Sequence, residues 1–176
     1  KGRQYSVFTD YLEDKNYWGL SSLLRTGDYF NVQMCYHDIP EHLNPFDYET
    51  FDKNPSKGYA VVTNIETGLA EYLPMKNMRR DIEAVRASAS MPLVSRPVEI
   101  NGKMYLDGGL ADSIPLLHAV TDGCRKNVVV MTKETGYRRV QPKHLELIKA
   151  RYAKYPKVYE LMVNRAAAYN QQLDYL

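Results

Sequence analysis

The sequence predicts an α/β domain in which helices pack on a layered sheet, and three observations support this fold class. Residues 58–64 and 127–132 are rich in β-branched or aromatic side chains, which is typical of buried strands. Residues 77–89 and 156–173 carry apolar side chains at helical spacing. The valine-rich run 127–132 follows a predicted helix, and this order of helices and strands indicates a layered α/β fold.

The first third of the chain predicts little regular structure beyond one helix. Residues 5–13 mix apolar and polar positions and predict a strand or a lead-in segment. Apolar residues recur at helical spacing over 17–24, and Gly27 predicts the end of that helix. Residues 28–57 contain three prolines, which predict an irregular segment with short helical turns such as 47–52.

Two hairpins are predicted in the middle of the chain. The strand 58–64 is followed by a Glu-Thr-Gly turn, after which residues 70–73 pair back on it. Residues 98–100 and 104–106 form the second hairpin, because the Asn101-Gly102 pair between them is the strongest short hairpin signal.

The remaining predicted elements are helices and one strand. The helix 77–89 should present one apolar face, which comprises Met78, Ile82, Val85 and Ala89. A helix over 114–120 should be capped by Asp112 or Ser113, with Pro115 in its first turn. Helices are also predicted over 142–153 and 156–173. In the last helix we expect one stripe to pack in the core or at an interface: Tyr155, Tyr159, Met162, Ala166, Tyr169 and Leu173.

We expect residues 1–176 to form a single domain, in which 137–176 is a C-terminal helical extension. A chain of 176 residues can bury a hydrophobic core. The sequence has no run of about 18 uncharged apolar residues, which a membrane-spanning helix needs. It also has neither an initiator methionine nor a signal-peptide pattern, so we expect it to be part of a longer protein.

Charge and cysteine content narrow the classes of function. The net charge of +2 and the absence of a dense basic patch argue against a nucleic-acid binder. Cys35 and Cys124 lie far apart without zinc-binding spacing, so we expect inert, reduced thiols and neither a metal nor a cofactor. Reduced thiols favour a cytoplasmic protein, either free or at the membrane periphery. The sequence indicates no oligomeric state.

The run Asp107-Gly108-Gly109 is the main candidate site. An isolated Asp-Gly-Gly is most often a simple turn, because glycine accepts a positive φ without steric penalty. Here Asp107 ends an apolar strand, and strand ends are where α/β folds present catalytic groups. A carboxylate fixed there can take the proton of a serine, which is a weak nucleophile without a base. We expect it to be partly buried with no cation beside it, so that it keeps its basicity.

The ordered motifs around this run resemble the patatin-like phospholipase family. A small-residue run ends in proline at 87–92, Asp107-Gly108-Gly109 follows a strand, and the apolar-Pro pair Ile114-Pro115 comes next. The strand and turn of 59–68 also resemble the family, and 23–30 resembles a bacterial branch of it. The resemblance spans about residues 20 to 135. Asp-Gly-Gly alone is weak evidence, whereas the ordered set is specific.

The resemblance implies a lipid acyl hydrolase with a Ser-Asp dyad, in which Asp107 is the base and no cofactor is needed. It further implies a lipid or acyl-ester substrate and transient contact with a membrane surface. The family's nucleophile lies in Gly-x-Ser-x-Gly, on a sharp turn between a strand and a helix. Neither this motif nor the family's glycine-rich oxyanion loop occurs in the sequence. We therefore expect the serine upstream of Lys1, and we expect the isolated chain to be inactive.

Other candidate residues have simpler explanations. Ser88 and Ser90 lack the glycines of a nucleophile turn, so close packing is the favoured role. Ser113 stands where the family often has asparagine, and both residues cap helices. A Ser-His-Asp triad through His118 is chemically feasible. The resemblance implies a dyad without histidine, however, so we expect surface or packing roles for all four histidines: His37, His42, His118 and His144.

Two alternatives remain open. The first is a non-catalytic binding or scaffold protein that has kept the fold without the chemistry. The second is an anion site formed by Gly108, Gly109 and the start of the following helix. That second alternative is weakened because the sequence places no Lys or Arg beside the turn.

Overall fold

The computed structural model describes residues 2–143 and 145–176 and shows an α/β arrangement, as the sequence predicts. Four antiparallel strands form one sheet in the order β2-β1-β4-β3. The strands are β1 (Gly58–Asn64), β2 (Ala70–Met75), β3 (Val98–Ile100) and β4 (Lys103–Asp107). The α-helices are α1 (Arg3–Tyr11), α2 (Leu20–Thr26), α3 (Tyr48–Lys53), α4 (Met78–Ser88), α5 (Leu116–Thr121), α6 (Leu145–Arg151) and α7 (Pro156–Tyr175).

Both predicted hairpins are confirmed. β1 and β2 pair from Gly58 opposite Met75 to Thr63 opposite Ala70. β3 and β4 are joined by Asn101-Gly102, in which both residues have positive φ, as a tight hairpin turn requires. β1 also pairs with β4, and this pairing brings the two hairpins into one sheet.

Helices cover both faces of the sheet. On one face, α4 packs Ala87 against Val62 of β1, Val98 of β3 and Tyr105 of β4. On the other face, Leu106 of β4 packs in a second cluster with side chains of α6 and α7. The alternation of side chains along a strand explains why Tyr105 and Leu106 enter different clusters. The observed layers therefore agree with the predicted fold class.

Most of the predicted helices are confirmed, with shifted ends. α2 begins later than expected, at Leu20, and ends where Gly27 takes a left-handed φ of 82°. α3 is capped by Asp47, whose side chain accepts a hydrogen bond from Thr50 N. α4 is capped in the same way by Asn77. The predicted helix 142–153 is observed as α6.

The prediction for the last helix is confirmed over α7. Met162, Ala166 and Tyr169 of the expected stripe are buried, so the stripe packs in the core. Val158 is also fully buried, although the predicted stripe did not include it. Residues 137–176 thus contribute to the packing of the sheet. Their description as an extension of a single domain stays a prediction.

Two predictions for the N-terminal third are wrong. Residues 5–13 lie mostly in helix α1, not in a strand. The Arg3 side chain holds this helix in place by donating to the carbonyl oxygen of Asn44 at 2.7 Å. A ten-residue π-helical segment, Met34–Leu43, replaces the expected irregular chain. It persists through Pro40 because burial of Met34, Ile39 and Pro40 holds it against the rest of the structure.

The predicted strand 127–132 is also wrong. This run pairs with no strand in the described part of the chain, and Val128 and Val130 are 92% and 84% exposed. A strand needs a neighbour for its backbone hydrogen bonds. β-branched composition favours an extended backbone here but supplies no such neighbour.

The expected cap of α5 is not formed. α5 begins at Leu116 without a side-chain cap. Asp112 instead accepts hydrogen bonds from Tyr72 and Gln172, and Ser113 donates to the carbonyl oxygen of Gly109. Long-range partners have therefore taken both candidate capping groups.

The turn after β4 lies directly against β1. A methyl group on Gly108 would stand 2.2 Å from the carbonyl oxygen of Val61, which is far inside van der Waals contact. Thr63 is fully buried, and its hydroxyl donates to Asp107 O at 2.8 Å and accepts from Ala111 N at 3.2 Å. Only glycine therefore fits at position 108.

Glu71 joins three strands through its carboxylate. It accepts hydrogen bonds from Asn64 of β1 at 2.8 Å and from Tyr105 and Lys103 of β4 at 2.8 and 3.1 Å. Burial acts to raise the pKa of Glu71, but these hydrogen bonds outweigh burial and hold its pKa below the usual value. Glu71 therefore stabilises the fold in its ionised form.

We predict that Gly108→Ala lowers the free energy of unfolding by about 1–3 kcal/mol, because the new methyl group displaces backbone. Urea denaturation measures this loss. The matched control is Gly58→Ala, whose methyl group would lie 3.6 Å from Met75 Cβ and should leave stability unchanged or slightly higher. Equal urea midpoints for the two variants would contradict the close approach.

We predict that Glu71→Gln costs more stability at pH 7 than at pH 3. A carboxyl whose pKa is lowered in the folded state stabilises above its unfolded-state pKa, and this contribution disappears as pH falls through the folded-state pKa. The urea midpoint of Glu71→Gln should therefore approach that of the unsubstituted protein as the pH is lowered from 7 to 3. The exposed Glu99→Gln is the control, and a constant difference for Glu71→Gln would refute the role.

Candidate active site

Asp107 is fixed at the end of β4 by contacts from two other elements. It lies opposite Val62 of β1 in the ladder, and its carbonyl oxygen accepts the hydroxyl of Thr63. Its backbone N–H donates to the carbonyl oxygen of Ser90 at 2.8 Å. This bond joins the small-residue run after α4 to the Asp-Gly-Gly turn, so the two main motifs of the sequence meet in space.

The carboxylate of Asp107 is oriented by the turn that follows it. Oδ1 accepts a hydrogen bond from Gly109 N at 2.7 Å. In the described part of the chain no donor reaches Oδ2. The side chain is partly exposed and lines a cavity of about 600 Å³. One oxygen is therefore held by backbone while the other is available to take a proton.

The cavity beside Asp107 is lined mainly by apolar and aromatic side chains. The predicted apolar face of α4, comprising Met78, Ile82, Val85 and Ala89, forms part of its wall. The N-terminal third contributes another part, including Tyr17, Phe30, Tyr36 and Ile39. The apolar face of α4 thus lines a cavity. The buried residues of this helix are Ala84 and Ala87 instead.

The wall from the N-terminal third is attached to the sheet side by an ion pair between a buried aspartate and a half-exposed arginine. Asp28 is 5% exposed and accepts from both the backbone N and the Nε of Arg96, each at 2.8 Å. Because the Arg96 side chain is 54% exposed, solvent screens the ion pair, and its net contribution is about 1 kcal/mol or less. This pair keeps the segment after α2 in place at the cavity.

Cys35 lines the same cavity but has no nucleophilic character. Burial raises the pKa of the Cys35 thiol to about 12, and a hydrogen bond with Tyr17 offsets only part of that rise. The thiol therefore stays protonated at neutral pH, which agrees with the expected inert cysteine. Cys124 is exposed and lines a different cavity.

Ser90 has a structural role in this arrangement. Its hydroxyl donates to the carbonyl oxygen of Arg86 at 2.8 Å, and the residue is 4% exposed. Ser88 is the last residue of α4 and is absent from the lining of the Asp107 cavity. Close packing at the end of α4 explains the small side chains in this run.

None of the three described histidines lines the cavity beside Asp107. His118 stacks on the ring of Tyr72, with centroids 3.5 Å apart, in a second cavity of about 710 Å³ that Asp107 does not line. His37 and His42 are exposed residues of the π-helical segment. His144 lies outside the described residues.

A cation lies beside the turn, contrary to expectation. Arg165 of α7 donates from Nε to the carbonyl oxygen of Gly109 at 3.1 Å. Burial lowers the pKa of the Arg165 guanidinium and repulsion by Arg139 adds to this, whereas attraction to Asp107 acts in the opposite direction. The sequence gives no signal for this contact, because 56 residues separate its two partners.

The described residues contain neither a group of metal ligands nor a membrane-spanning helix. Within residues 2–143 and 145–176, no three His, Cys, Asp or Glu side chains are grouped as metal ligands would be. None of the helices described there combines the length and apolarity needed to cross a bilayer. The expected absence of a metal and a cofactor stays a prediction.

Two sequence similarities bear on the family of this chain. A match to the uncharacterized protein YjjU of Escherichia coli (strain K12) is 39% identical over 62 residues. It covers 35% of this chain and 17% of that protein, so the chain spans well under two thirds of this relative. The sequence model described as patatin-like phospholipase matches residues 3–120, a span that begins and ends earlier than the motifs indicate. Because this match covers more than half of its residues, the chain belongs to the patatin-like phospholipase family.

Proposed function

We propose that the protein containing this chain hydrolyses carboxylic esters of lipids, with Asp107 as the base and a serine nucleophile outside these 176 residues. Membership of the patatin-like phospholipase family supports lipid acyl hydrolysis. The observation that carries the role of Asp107 is its position: a rigidly held carboxylate with one oxygen available, at the edge of a largely apolar cavity.

The proposed reaction has two half-reactions. The serine hydroxyl attacks the acyl carbonyl carbon while its proton passes to Asp107, and the alcohol leaves with that proton. Water then attacks the acyl-serine ester and loses its proton to Asp107, the serine oxygen leaves with that proton, and the carboxylic acid is released. Backbone N–H groups of a glycine-rich loop outside this chain would stabilise each oxyanion by about 3 kcal/mol per donor.

The apolar cavity supports an acyl substrate. Its walls offer aliphatic and aromatic surface near the carboxylate, and such surface is what a hydrocarbon chain binds. Exposed apolar side chains on α1 and α2 favour transient contact with a lipid surface, among them Tyr5, Phe8, Leu20 and Leu24. The resemblance of residues 23–30 to a bacterial branch stays a prediction.

We also propose that residues 137–176 belong to the same domain as the site. α7 packs against the sheet through Val158 and Met162, and Arg165 on the same helix reaches Gly109. A C-terminal truncation at 136 would therefore remove part of the support of the turn.

We predict that Asp107→Asn lowers kcat on a p-nitrophenyl acyl ester by about 10²–10⁴-fold in the intact protein, because the amide accepts no proton. Initial rates give kcat, and circular dichroism verifies the fold. Asp122→Asn, at an exposed aspartate outside the cavity, is the matched control. Wild-type turnover by a folded Asp107→Asn variant would remove Asp107 from the mechanism.

We predict that a fluorophosphonate probe labels the intact protein but not the isolated 176-residue chain. Ser90 is buried with its hydroxyl bonded to Arg86 O, so Ser90→Ala should leave labelling of the intact protein unchanged. Mass spectrometry identifies the labelled residue. Labelling at Ser88 or Ser90 would refute the proposal, and a folded intact protein that neither reacts nor turns over esters would indicate a scaffold.

A further inference from the structure

Gly109 is held from both sides of its backbone. Its N–H donates to Asp107 Oδ1 at 2.7 Å. Its carbonyl oxygen accepts from Ser113 Oγ at 2.7 Å and from Arg165 Nε at 3.1 Å. The orientation of the Asp107 carboxylate is therefore coupled, through one glycine, to a side chain of α7.

The carboxylate and the guanidinium flank the same residue. A methyl group on Gly109 would stand 3.1 Å from Asp107 Oδ1 and 3.5 Å from Arg165 Nη2. Opposite charges in this arrangement attract, and the attraction is strengthened where water is partly excluded. Arg165 is half-buried, so the surroundings of this contact are not those of an exposed surface pair.

Among the described residues, no carboxylate forms a direct salt bridge with Arg165 that would give the arginine a purely structural explanation. Asp174 of the same helix pairs instead with Arg138. Arg139 instead lies over the ring of Tyr169, 4.6 Å from the centroid. Burial of an arginine without an ion-pair partner is unfavourable unless other interactions compensate. The contacts of Arg165 with Gly109 and its attraction to Asp107 provide that compensation.

We infer that Arg165 is a positioning residue for the hydrolysis: it fixes Gly109 through its carbonyl oxygen and, by attraction, orients the Asp107 carboxylate. The inference rests on the proposed role of Asp107 as base. Arg165 lies on α7, beyond the span 3–120 that the family model matches. The C-terminal helix would thus take part in catalysis without touching the substrate.

The electrostatic part can be tested without turnover. Because Gly109 N–H donates to Asp107 Oδ1, its amide resonance reports the ionisation of that carboxylate. The groups that act on Arg165 are Asp107, Arg139 and Tyr137. On the cavity side, the charged lining residues are Arg3, Asp28 and Arg86. Selective ¹⁵N-glycine labelling of the intact protein isolates this resonance during a pH titration.

We predict that Arg165→Gln moves the titration midpoint of the Gly109 amide to higher pH, because removal of a nearby positive charge disfavours the ionised carboxylate. Arg165→Lys keeps the charge and should retain a midpoint close to that of the unsubstituted protein. Arg138→Gln is the matched control and should not move it, since Arg138 is an exposed residue paired with Asp174.

In the same variants, kcat on a p-nitrophenyl acyl ester should fall on the order of 10- to 100-fold for Arg165→Gln, with KM unchanged. Arg165→Lys should recover part of kcat. An unchanged midpoint together with an unchanged kcat in a folded Arg165→Gln variant would overturn the inference. If neither Arg165 variant folds, the arginine serves stability alone, and the inference is likewise overturned.

Failure of the proposed function gives a different result. Normal turnover by Asp107→Asn would rule out Asp107 as the base, whatever effect the Arg165 substitutions have on the titration of the Gly109 amide. Conversely, an inactive Asp107→Asn variant alongside a fully active Arg165→Gln variant removes the positioning role and leaves the base in place. The two hypotheses are therefore separated by two substitutions in the same assay.

Discussion

The arrangement around the candidate site depends on one close approach, between the Val61 carbonyl of β1 and the α-carbon of Gly108. Because position 108 carries no side chain, the chain leaving β4 can bend directly over β1. The buried hydroxyl of Thr63 then bonds both sides of that bend, at Asp107 O and Ala111 N. The carboxylate of Asp107 takes its position from this backbone packing, and the side chains of Thr63 and Arg165 hold the turn from either side.

α4 lies between the sheet and the cavity, with one face packed on the sheet and another lining the cavity. Small residues, Ala84 and Ala87, let the helix approach the sheet closely. The larger apolar side chains at Met78, Ile82 and Val85 line the cavity on another face. At the end of the helix, the carbonyl oxygen of Ser90 receives the N–H of Asp107. The cavity wall and the carboxylate are therefore parts of one hydrogen-bonded unit.

Local signals in the sequence were sufficient wherever the structure is decided by neighbouring residues. The Asn101-Gly102 hairpin and the strand β1 follow from short-range chemistry. The run 127–132 shows the limit, because β-branched composition cannot supply a pairing neighbour. Asp112 shows a second limit of local signals, because its carboxylate could cap a helix but bonds the distant residues Tyr72 and Gln172 instead.

At the site, the sequence identified the Asp-Gly-Gly turn but not what surrounds it. The sequence predicted Thr63 only as part of a strand and not its contact with the turn, because its hydroxyl bonds across the sheet to a residue 44 positions away. The sequence did not predict the contact of Arg165 with the turn, because no periodicity or motif links α7 to that turn. Such contacts arise from tertiary packing, and a single sequence does not encode them in any local pattern.

The extended run 127–132 also bears on how the polypeptide behaves in concentrated solution. Its backbone groups have no ladder partner in the described part of the chain, and its side chains carry no charge. Uncharged β-branched stretches of this kind recruit strands from neighbouring molecules. Residues 127–132 therefore offer neighbouring copies of the chain an uncharged, unpaired segment for strand pairing, and they take no part in lining the Asp107 cavity.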